Sequence, residues 1–304
     1  MIPQQADVGC IQKNFIHIDC KKTLQQLDLF YKDQSGRLSD ETRWLEENKI
    51  DLVLSDVPSY PLKAAKALAI PRLVMSNFTW HDIYSAFPEA NEWKKVLDIL
   101  QNEYSTATLQ ILPQCHIQSN VIANQETVGF IGLKGKNIRK DLERLHPDRI
   151  EGKTLIYIYF GQFDSSSIQW ENLENMTDCA FITLDALAFA SPPKNVIVLG
   201  ETFHHPDLIA SADVVCTKAG YSTLATAFIH GKPVISCDRE GFCEVEAMKD
   251  FMTRNQVGLV IDSAKFYAGD WYDSIQSARR LTVAGKVRLN GETEVFQKIN
   301  ALLQ

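Results

Sequence analysis

The sequence predicts an α/β protein made of two Rossmann-like domains that face a cleft. Short apolar segments alternate with helical patterns in both halves of the chain, which indicates parallel sheets covered on both faces. The strand between Asp51 and Asp56 and the strand 155–160 are almost wholly apolar, as is typical of buried parallel strands. A stretch rich in Lys and Arg separates the two alternations. We therefore predict an N-terminal domain at 1–132, a linker at 133–152 and a C-terminal domain at 153–304.

The elements of the N-terminal half follow from spacing and from breaker residues. Ser39 is a good N-cap for one helix, and Pro71 opens a strand. We predict helices at 21–32, 39–48, 61–69, 80–84 and 89–104. We predict strands at 8–12, 51–56, 72–76, 109–112, 121–123 and 128–131. The linker carries many basic residues, and we interpret it as an exposed, solvated segment that includes a helix.

The C-terminal half repeats the alternation. We predict strands at 155–160, 196–199, 213–217, 234–236 and 257–261. We predict helices at 176–189, 223–230, 244–254 and 271–280, and a final helix at 294–303 that packs where the two domains meet. Ligands bind at the carboxyl ends of the strands in such sheets, so we expect the functional residues at those ends.

The composition excludes several classes of function. The chain has 304 residues, of which 45% are hydrophobic and 23% charged, with a net charge of −7. The negative charge argues against nucleic acid as a partner. The seven cysteines include no C-x-x-C pair, and we expect neither a bound metal nor another cofactor. The sequence has no signal peptide and no apolar run of transmembrane length, so we expect a cytoplasmic protein without a transmembrane segment.

The stretch 212–233 has the strongest functional pattern. It reads as a β-branched strand, a turn at Gly220 and an apolar helix for which Ser222 is the expected N-cap. Such a turn directs backbone N–H groups and the positive end of a helix dipole toward a ligand, with Lys218 and Thr223 beside it. The pattern therefore indicates an anion site. An ordinary strand-to-helix turn without a ligand is the alternative.

The segment from His205 to Thr223, with Gly231 to Val234, resembles the donor-side core of the GT-B glycosyltransferases. The peptidoglycan-type N-acetylglucosamine transferases have a similar turn. The chain looks still more like the glycosyltransferase-like domain at the N-terminus of arabinokinases. That likeness also covers Ser55-Asp56-Val57-Pro58, Ser76-Asn77-Phe78-Thr79-Trp80 and the residues 239–246, and so spans most of the chain.

The resemblance implies a GT-B fold and a nucleoside diphosphate sugar as partner, with a UDP-sugar expected first. The donor-binding residues that it implies are Gly161, Lys218, Gly220, Ser222, Thr223, Arg239, Glu244 and Glu246. For the two glutamates, a surface position in the first turn of a helix is the alternative, because acids are favourable there in any case. No Asp-x-Asp triplet occurs, so the helix dipole, N–H groups and Lys218 would stabilise the leaving diphosphate.

The chain departs from the family's pattern at two places. Relatives carry a glycine-rich loop after their first strand, beside the acceptor, and this chain begins downstream of it, so we expect an incomplete N-terminal domain. Asp56 and His81 are then the candidates for a catalytic base, with an Asx turn and a structural histidine as the respective alternatives. Thr226 stands where the peptidoglycan-type enzymes carry a glutamate that holds the ribose.

These observations lead to one preferred function and two alternatives. We expect a glycosyltransferase that moves a sugar from a nucleoside diphosphate to an unknown acceptor by direct displacement. A catalytically inactive nucleotide-sugar-binding or regulatory module is the first alternative. A sugar-nucleotide 2-epimerase, which shares the fold, is the second. The resemblance does not indicate an oligomeric state.

Overall fold

The computed structural model describes residues 5–13, 17–32, 34–161, 165–185, 187, 191–238 and 242–303. Two parallel β-sheets, one in each half of the described chain, organise the fold. The predicted α/β class is therefore confirmed. No helix within these described ranges is both long enough and apolar enough to cross a membrane.

The first sheet has the strand order β1-β2-β3-β4, and all of its pairs are parallel. Its strands are β1 Val53–Ser55, β2 Arg72–Met75, β3 Leu109–Pro113 and β4 Gln125–Val128. The α-helices around it are α1 Cys20–Lys32, α2 Gln34–Glu47, α3 Tyr60–Ala67, α4 Trp80–Ser85 and α5 Lys94–Tyr104, with a 3-10 helix at Ala90–Trp93.

The second sheet has the order β10-β9-β8-β5-β6-β7 and is also parallel. Its strands are β5 Thr154–Tyr159, β6 Cys179–Thr183, β7 Val196–Val198, β8 Val214–Thr217, β9 Val234–Cys237 and β10 Gly258–Ile261. The accompanying α-helices are α6 Arg139–Leu145, α7 Pro147–Ile150, α8 His205–Ser211, α9 Tyr221–Ile229, α10 Glu244–Asn255, α11 Ser263–Tyr267, α12 Tyr272–Ala278 and α13 Gly291–Leu303.

Strand β5 explains why the second sheet needs uninterrupted apolar strands. Leu155 and Tyr157 pack into the core on one face of the sheet, and Ile156 and Ile158 pack into the core on the other. All four side chains are fully buried. A strand covered on both faces has no solvent side for polar residues, so the alternation typical of a half-buried strand is missing.

Four predicted elements are wrong, and the predicted N-cap Ser39 lies inside α2, which begins at Gln34. The predicted helix 176–189 contains strand β6 instead, because its central run pairs in parallel with strands on both sides and is buried on both faces. The segment 8–12 belongs to no sheet among the described residues, and its Gln12 forms only an isolated antiparallel bridge with Ile18. The segment 121–123 is irregular, and β4 runs from Gln125 to Val128, so the strand predicted at 128–131 is displaced by three residues.

The basic stretch between the sheets is more buried than the sequence suggested. Leu142 of α6 and Ile150 of α7 are fully buried in the core of the second sheet. The guanidinium of Arg139 donates to Asp213 Oδ2 at 2.8 Å, to Glu143 Oε1 at 2.9 Å and to the carbonyl oxygen of Lys153 at 2.8 Å. The segment is therefore not a wholly solvated linker, since its apolar residues and Arg139 pack against the second half of the chain. The domain limits given above stay a prediction.

Helix α13 returns the chain to the first sheet. Its Val295 packs with Leu73, Leu109 and Val128 of that sheet. The carboxylate of Glu294 accepts a hydrogen bond from the backbone N–H of Gly129 at 3.0 Å, just after β4. The final helix thus packs on the first sheet, and its place where the two domains meet stays a prediction.

We predict opposite effects of alanine at two glycines. A Cβ at Gly135 would collide with the carbonyl oxygen of Pro206, so Gly135→Ala should lower the free energy of unfolding by about 1–3 kcal/mol. Gly36 lies exposed in α2 with no atom near its Cβ position, so Gly36→Ala should raise it by about 0.5–1 kcal/mol. Chemical denaturation of the three proteins tests this. Equal midpoints for Gly135→Ala and the wild type would contradict the close packing.

Candidate active site

A cavity of about 320 Å³ lies between the two halves of the molecule. The first sheet contributes residues that follow the carboxyl ends of its strands, and the second half contributes the N-termini of α9 and α10. The polar lining residues are Asp56, Ser76, Asn77, Tyr221, Ser222 and Glu244. This is the position that a parallel α/β architecture favours for a ligand.

The N-terminus of α9 opens into this cavity without a side-chain cap. The N-cap residue is Gly220, so the prediction that Ser222 caps the helix is wrong. Among the described residues, no acceptor bonds the backbone N–H groups of Ser222 and Thr223. Ser222 is exposed, whereas Thr223 is buried. The first turn therefore offers N–H donors and a positive dipole end to a ligand.

The glycine at position 220 is not required by the backbone. Its φ of −141° is extended, a conformation that any residue can adopt. A Cβ there would meet only the carbonyl oxygen of Lys218, at 3.9 Å. The missing side chain leaves the space in front of the α9 N-terminus open.

Gly161 and Lys218 lie at the same edge of the second sheet as this helix end. Tyr159 of β5 is in register with Thr217 of β8, so the residues after both strands are neighbours. Gly161 has a φ of +72°, which L side chains rarely adopt, so this turn does need glycine. Lys218 is half-buried and brings a positive charge to this edge.

Glu244 and Glu246 have different surroundings although both lie in the first turn of α10. Glu244 is buried and lines the cavity, and its Oε1 accepts a hydrogen bond from Asn77 Nδ2 at 2.7 Å. Glu246 is exposed and pairs with Lys249 at 3.3 Å. The cavity therefore includes the first glutamate and not the second. Arg239 lies outside the described residues.

Asp56 faces the cavity from the end of β1. No described residue donates a hydrogen bond to its carboxylate, so the alternative that it forms an Asx turn is not observed. Desolvation by the cleft walls, and then the negative charge of Asp7, raise the pKa of this carboxyl above its ordinary value.

The backbone next to Asp56 is strained. Val57 has a φ of +86°, which is a genuine outlier for a β-branched residue. The hydroxyl of Tyr104 donates to the Val57 carbonyl oxygen at 2.5 Å, and Ser55 Oγ donates to the Pro58 carbonyl oxygen at 2.5 Å. These two bonds hold the backbone of the turn that follows Asp56. Strain of this kind concentrates at functional sites.

His81, the other candidate base, does not line the cavity. It lies in α4, and its Nε2 is 3.4 Å from the hydroxyl of Ser85 one turn later. Burial lowers the pKa of His81, so its neutral form is favoured. The structure thus brings Asp56 to the cavity and leaves His81 away from it.

Thr226 is buried beneath the segment that connects the two sheets. Its Oγ1 accepts a hydrogen bond from the backbone N–H of Leu133 at 3.1 Å and donates to the carbonyl oxygen of Ser222 at 2.7 Å. Gly132 lies directly on the helix there, since its Cβ would be 2.8 Å from the Thr226 nitrogen. This position is structural and leaves no space for a ribose.

His205 also has a structural environment. Its Nδ1 lies 2.7 Å from the hydroxyl of Tyr157, and its ring packs on Tyr159 with centroids 4.2 Å apart. Burial lowers the pKa of His205 to about 4, so the ring is neutral near pH 7.

Sequence reasoning missed three polar residues of the cavity, Ser76, Asn77 and Tyr221. Asn77 directly follows an apolar strand and Ser76, so its place at a strand end was a usable signal. The hydroxyl of Tyr221 accepts the backbone N–H of Ile131 at 3.2 Å, and no local pattern predicts that contact.

Comparisons with known proteins identify the architecture. No protein-family profile matches the chain. The L-arabinokinase of Arabidopsis thaliana is 24% identical over 294 residues, which are 94% of this chain. The chain spans only 28% of the length of that relative.

Solved structures of glycosyltransferases superpose on most of the chain. The spinosyn forosaminyltransferase SpnP has a TM-score of 0.62 at 16% identity, over 88% of this chain and 79% of its own. VinC in complex with dTDP has a TM-score of 0.57 at 13% identity, over 93% of this chain and 80% of its own. MurG of Acinetobacter baumannii has a TM-score of 0.57 at 14% identity, over 87% of this chain and 77% of its own.

The chain has the GT-B fold. Identities this low establish the fold alone, since one fold supports many functions. The GT-B expectation drawn from the sequence is confirmed, with two Rossmann-like units on either side of the cleft.

We predict that restoring the acid of the peptidoglycan-type enzymes fails in this GT-B protein. Thr226→Glu would place a carboxylate in a packed position, so it should lower the free energy of unfolding by about 3 kcal/mol or more. The isosteric Thr226→Val loses only the hydrogen bonds and should cost about 1 kcal/mol. Chemical denaturation measures both. A Thr226→Glu variant with wild-type stability and improved UDP binding would refute the structural role.

Proposed function

We propose that the chain binds a nucleoside diphosphate sugar in the cleft and transfers the sugar to an acceptor hydroxyl. The main observation that supports this proposal is the uncapped N-terminus of α9, which opens into the same cavity that Asp56 faces from the other sheet. An anion-binding helix end and a carboxylate with a raised pKa are the two groups that such a displacement needs.

The diphosphate would bind at the edge formed by the β5 and β8 turns. The N–H groups of Ser222 and Thr223 would donate to its oxygens, with Lys218 as the nearby cation and Gly161 allowing close approach. Gly220 keeps the path to these donors open. We expect a UDP-sugar first, and dTDP-sugars are the next choice because the neighbouring structure of VinC holds dTDP.

The sugar would lie toward Glu244, which lines the same cavity. We assign no contact with the sugar to Glu246, because its side chain is 70% exposed and pairs with Lys249. A role for Arg239 stays a prediction from the sequence.

The proposed reaction is a direct displacement. The Asp56 carboxylate takes the proton of the acceptor hydroxyl as that oxygen bonds to the anomeric carbon. The bond between the anomeric carbon and the diphosphate oxygen breaks, and its electron pair leaves with the diphosphate. The α9 N-terminus stabilises the added negative charge.

The activity named for the arabinokinase relative is not part of this proposal. The chain matches 28% of that protein, and the sequence has no Gly-rich loop followed by Lys-Ser or Lys-Thr. A cytoplasmic location stays a prediction from the sequence.

We predict that Lys218→Ala and Ser222→Ala each weaken the binding of a nucleoside diphosphate. Loss of a charge-assisted hydrogen bond at Lys218 should cost about 1.5–3 kcal/mol, and loss of the Ser222 hydroxyl about 1 kcal/mol. Titration calorimetry with UDP, dTDP, GDP and ADP measures this. Lys95→Ala, an exposed position on α5, serves as the control. A wild-type protein that binds none of these at millimolar concentration would exclude the donor site.

We predict that Asp56→Asn lowers the transfer rate by about 10²–10⁴-fold and leaves the affinity for the nucleotide unchanged. The base must be ionised, so the wild-type rate should rise with pH through the pKa of Asp56, which lies above the ordinary 3.8. The rate of the variant should not show this rise. Sugar transfer or donor hydrolysis, followed from pH 4 to 8, provides the measurement. A variant with the full rate and the same rise with pH would assign the base elsewhere.

A further inference from the structure

One hydrogen bond crosses the cleft at the cavity wall. Asn77, which follows β2 in the first sheet, donates from Nδ2 to Oε1 of Glu244 at 2.7 Å. Both side chains are nearly inaccessible, at 6% and 4% exposed. Hydrogen bonds to a buried carboxylate are among the stronger ones, and leaving such a charge without its donor is costly.

This bond fixes which end of the Asn77 amide faces the cavity. The group of Asn77 directed at Oε1 of Glu244 is the NH₂, which is a donor, and not the amide oxygen, which is an acceptor. The amide oxygen Oδ1 is then the group left for the cavity, and no described residue donates a hydrogen bond to it. Asn77 consequently offers an acceptor to a ligand.

The other polar side chains of the cavity are one carboxylate and three hydroxyls, of Ser76, Tyr221 and Ser222, which can both accept and donate. The Asp56 carboxylate faces the same cavity, and the hydroxyl of Ser222 is exposed at its other side. Ser76 Oγ already accepts the backbone N–H of Phe78 at 3.4 Å. Tyr221 likewise accepts the backbone N–H of Ile131, so both hydroxyls keep an O–H to donate. A small cavity with acceptors and hydroxyl donors suits a ligand rich in hydroxyl groups, and about 320 Å³ lies at the lower end of the range for ligand pockets.

We propose that Asn77 recognises a hydroxyl of the donor sugar and that Glu244 sets the amide for this task from across the cleft. The inference rests on the proposed function. A diphosphate at α9 would carry its sugar into this cavity, since Tyr221 and Ser222 line it together with Asn77. Sugar recognition is therefore coupled to the contact between the two sheets. A nucleotide without its sugar would not need this pair.

A charge-swap series tests the pair. Asn77→Asp sets two carboxylates against each other and should reduce the affinity for UDP-sugars about tenfold or more. Adding Glu244→Gln lets the amide introduced at position 244 donate to the carboxylate introduced at position 77, whose second oxygen is left for the cavity. We expect the double variant N77D/E244Q to recover to within a few-fold of the wild type.

The readout is the ratio of the affinities for a UDP-sugar and for bare UDP, measured by calorimetry at pH 8 over a panel of UDP-hexoses and UDP-pentoses. A general loss of folding would lower both affinities, whereas the proposed role lowers only the sugar-dependent part. Asn77→Ala gives a second measure of the same ratio should the N77D protein not fold. Asp250→Asn, exposed on the same helix as Glu244, is the control for charge.

Each outcome decides a different point. UDP binding with a ratio that neither Asn77→Asp nor Asn77→Ala changes would overturn this inference and leave the proposed function intact. A ratio that falls in Asn77→Asp and is not restored in the double variant would overturn the role of Glu244. Changes confined to the binding of free monosaccharides would place Asn77 on the acceptor side and overturn the donor assignment. Failure of the wild type to bind any nucleotide would refute the proposed function itself.

Discussion

Thr226 and His230 of the α9 region accept hydrogen bonds from the backbone N–H groups of Leu133 at 3.1 Å and Gly135 at 3.0 Å. The same segment donates from Lys136 to Asp207 and from Ile138 to Ser211. These bonds hold the segment between the sheets against α8 and α9. Because this segment directly follows the first sheet, they also determine which residues face the N-terminus of α9. The cavity between Asp56 and that helix depends on this contact.

For the proposed function, the cleft has to bind an anionic diphosphate and also hold the carboxylate of Asp56, although the whole chain is negatively charged. A chain with a net charge of −7 repels a diphosphate at long range. The N-terminus of α9 offers an anion local partial charges that cannot be titrated, and Lys218 adds a cation beside it. Across the cavity, desolvation and Asp7 raise the pKa of Asp56. The backbone next to Asp56 is strained at Val57, and the cost of this strain is offset by the buried hydrogen bond from Tyr104.

Sequence patterns predicted most strands and helices but failed where two signals competed. The segment that forms β6 has apolar residues at spacings compatible with a helix, and only its pairing with β5 and β7 makes it a strand. At α9 the pattern suggested Ser222 as the N-cap, whereas the helix begins two residues earlier, at Tyr221 after Gly220. Helix ends depend on the last turn of the backbone, and a good capping residue nearby does not fix them. The many basic residues around Leu142 and Ile150 suggested a solvated segment, whereas both of these side chains are fully buried.

The sequence by itself determined the α/β class, the two units and the turn at 217–223, because apolar periodicity and glycine placement are local properties. It also identified Asp56 and Glu244 as candidates. Only the tertiary structure placed Asp56 at the cavity and His81 away from it, separated buried Glu244 from exposed Glu246, and placed Thr226 under the connecting segment. It alone joined Asn77 to Glu244, which are 167 residues apart in the chain. Contacts of that range depend on how the two sheets pack together, and no local pattern encodes that packing.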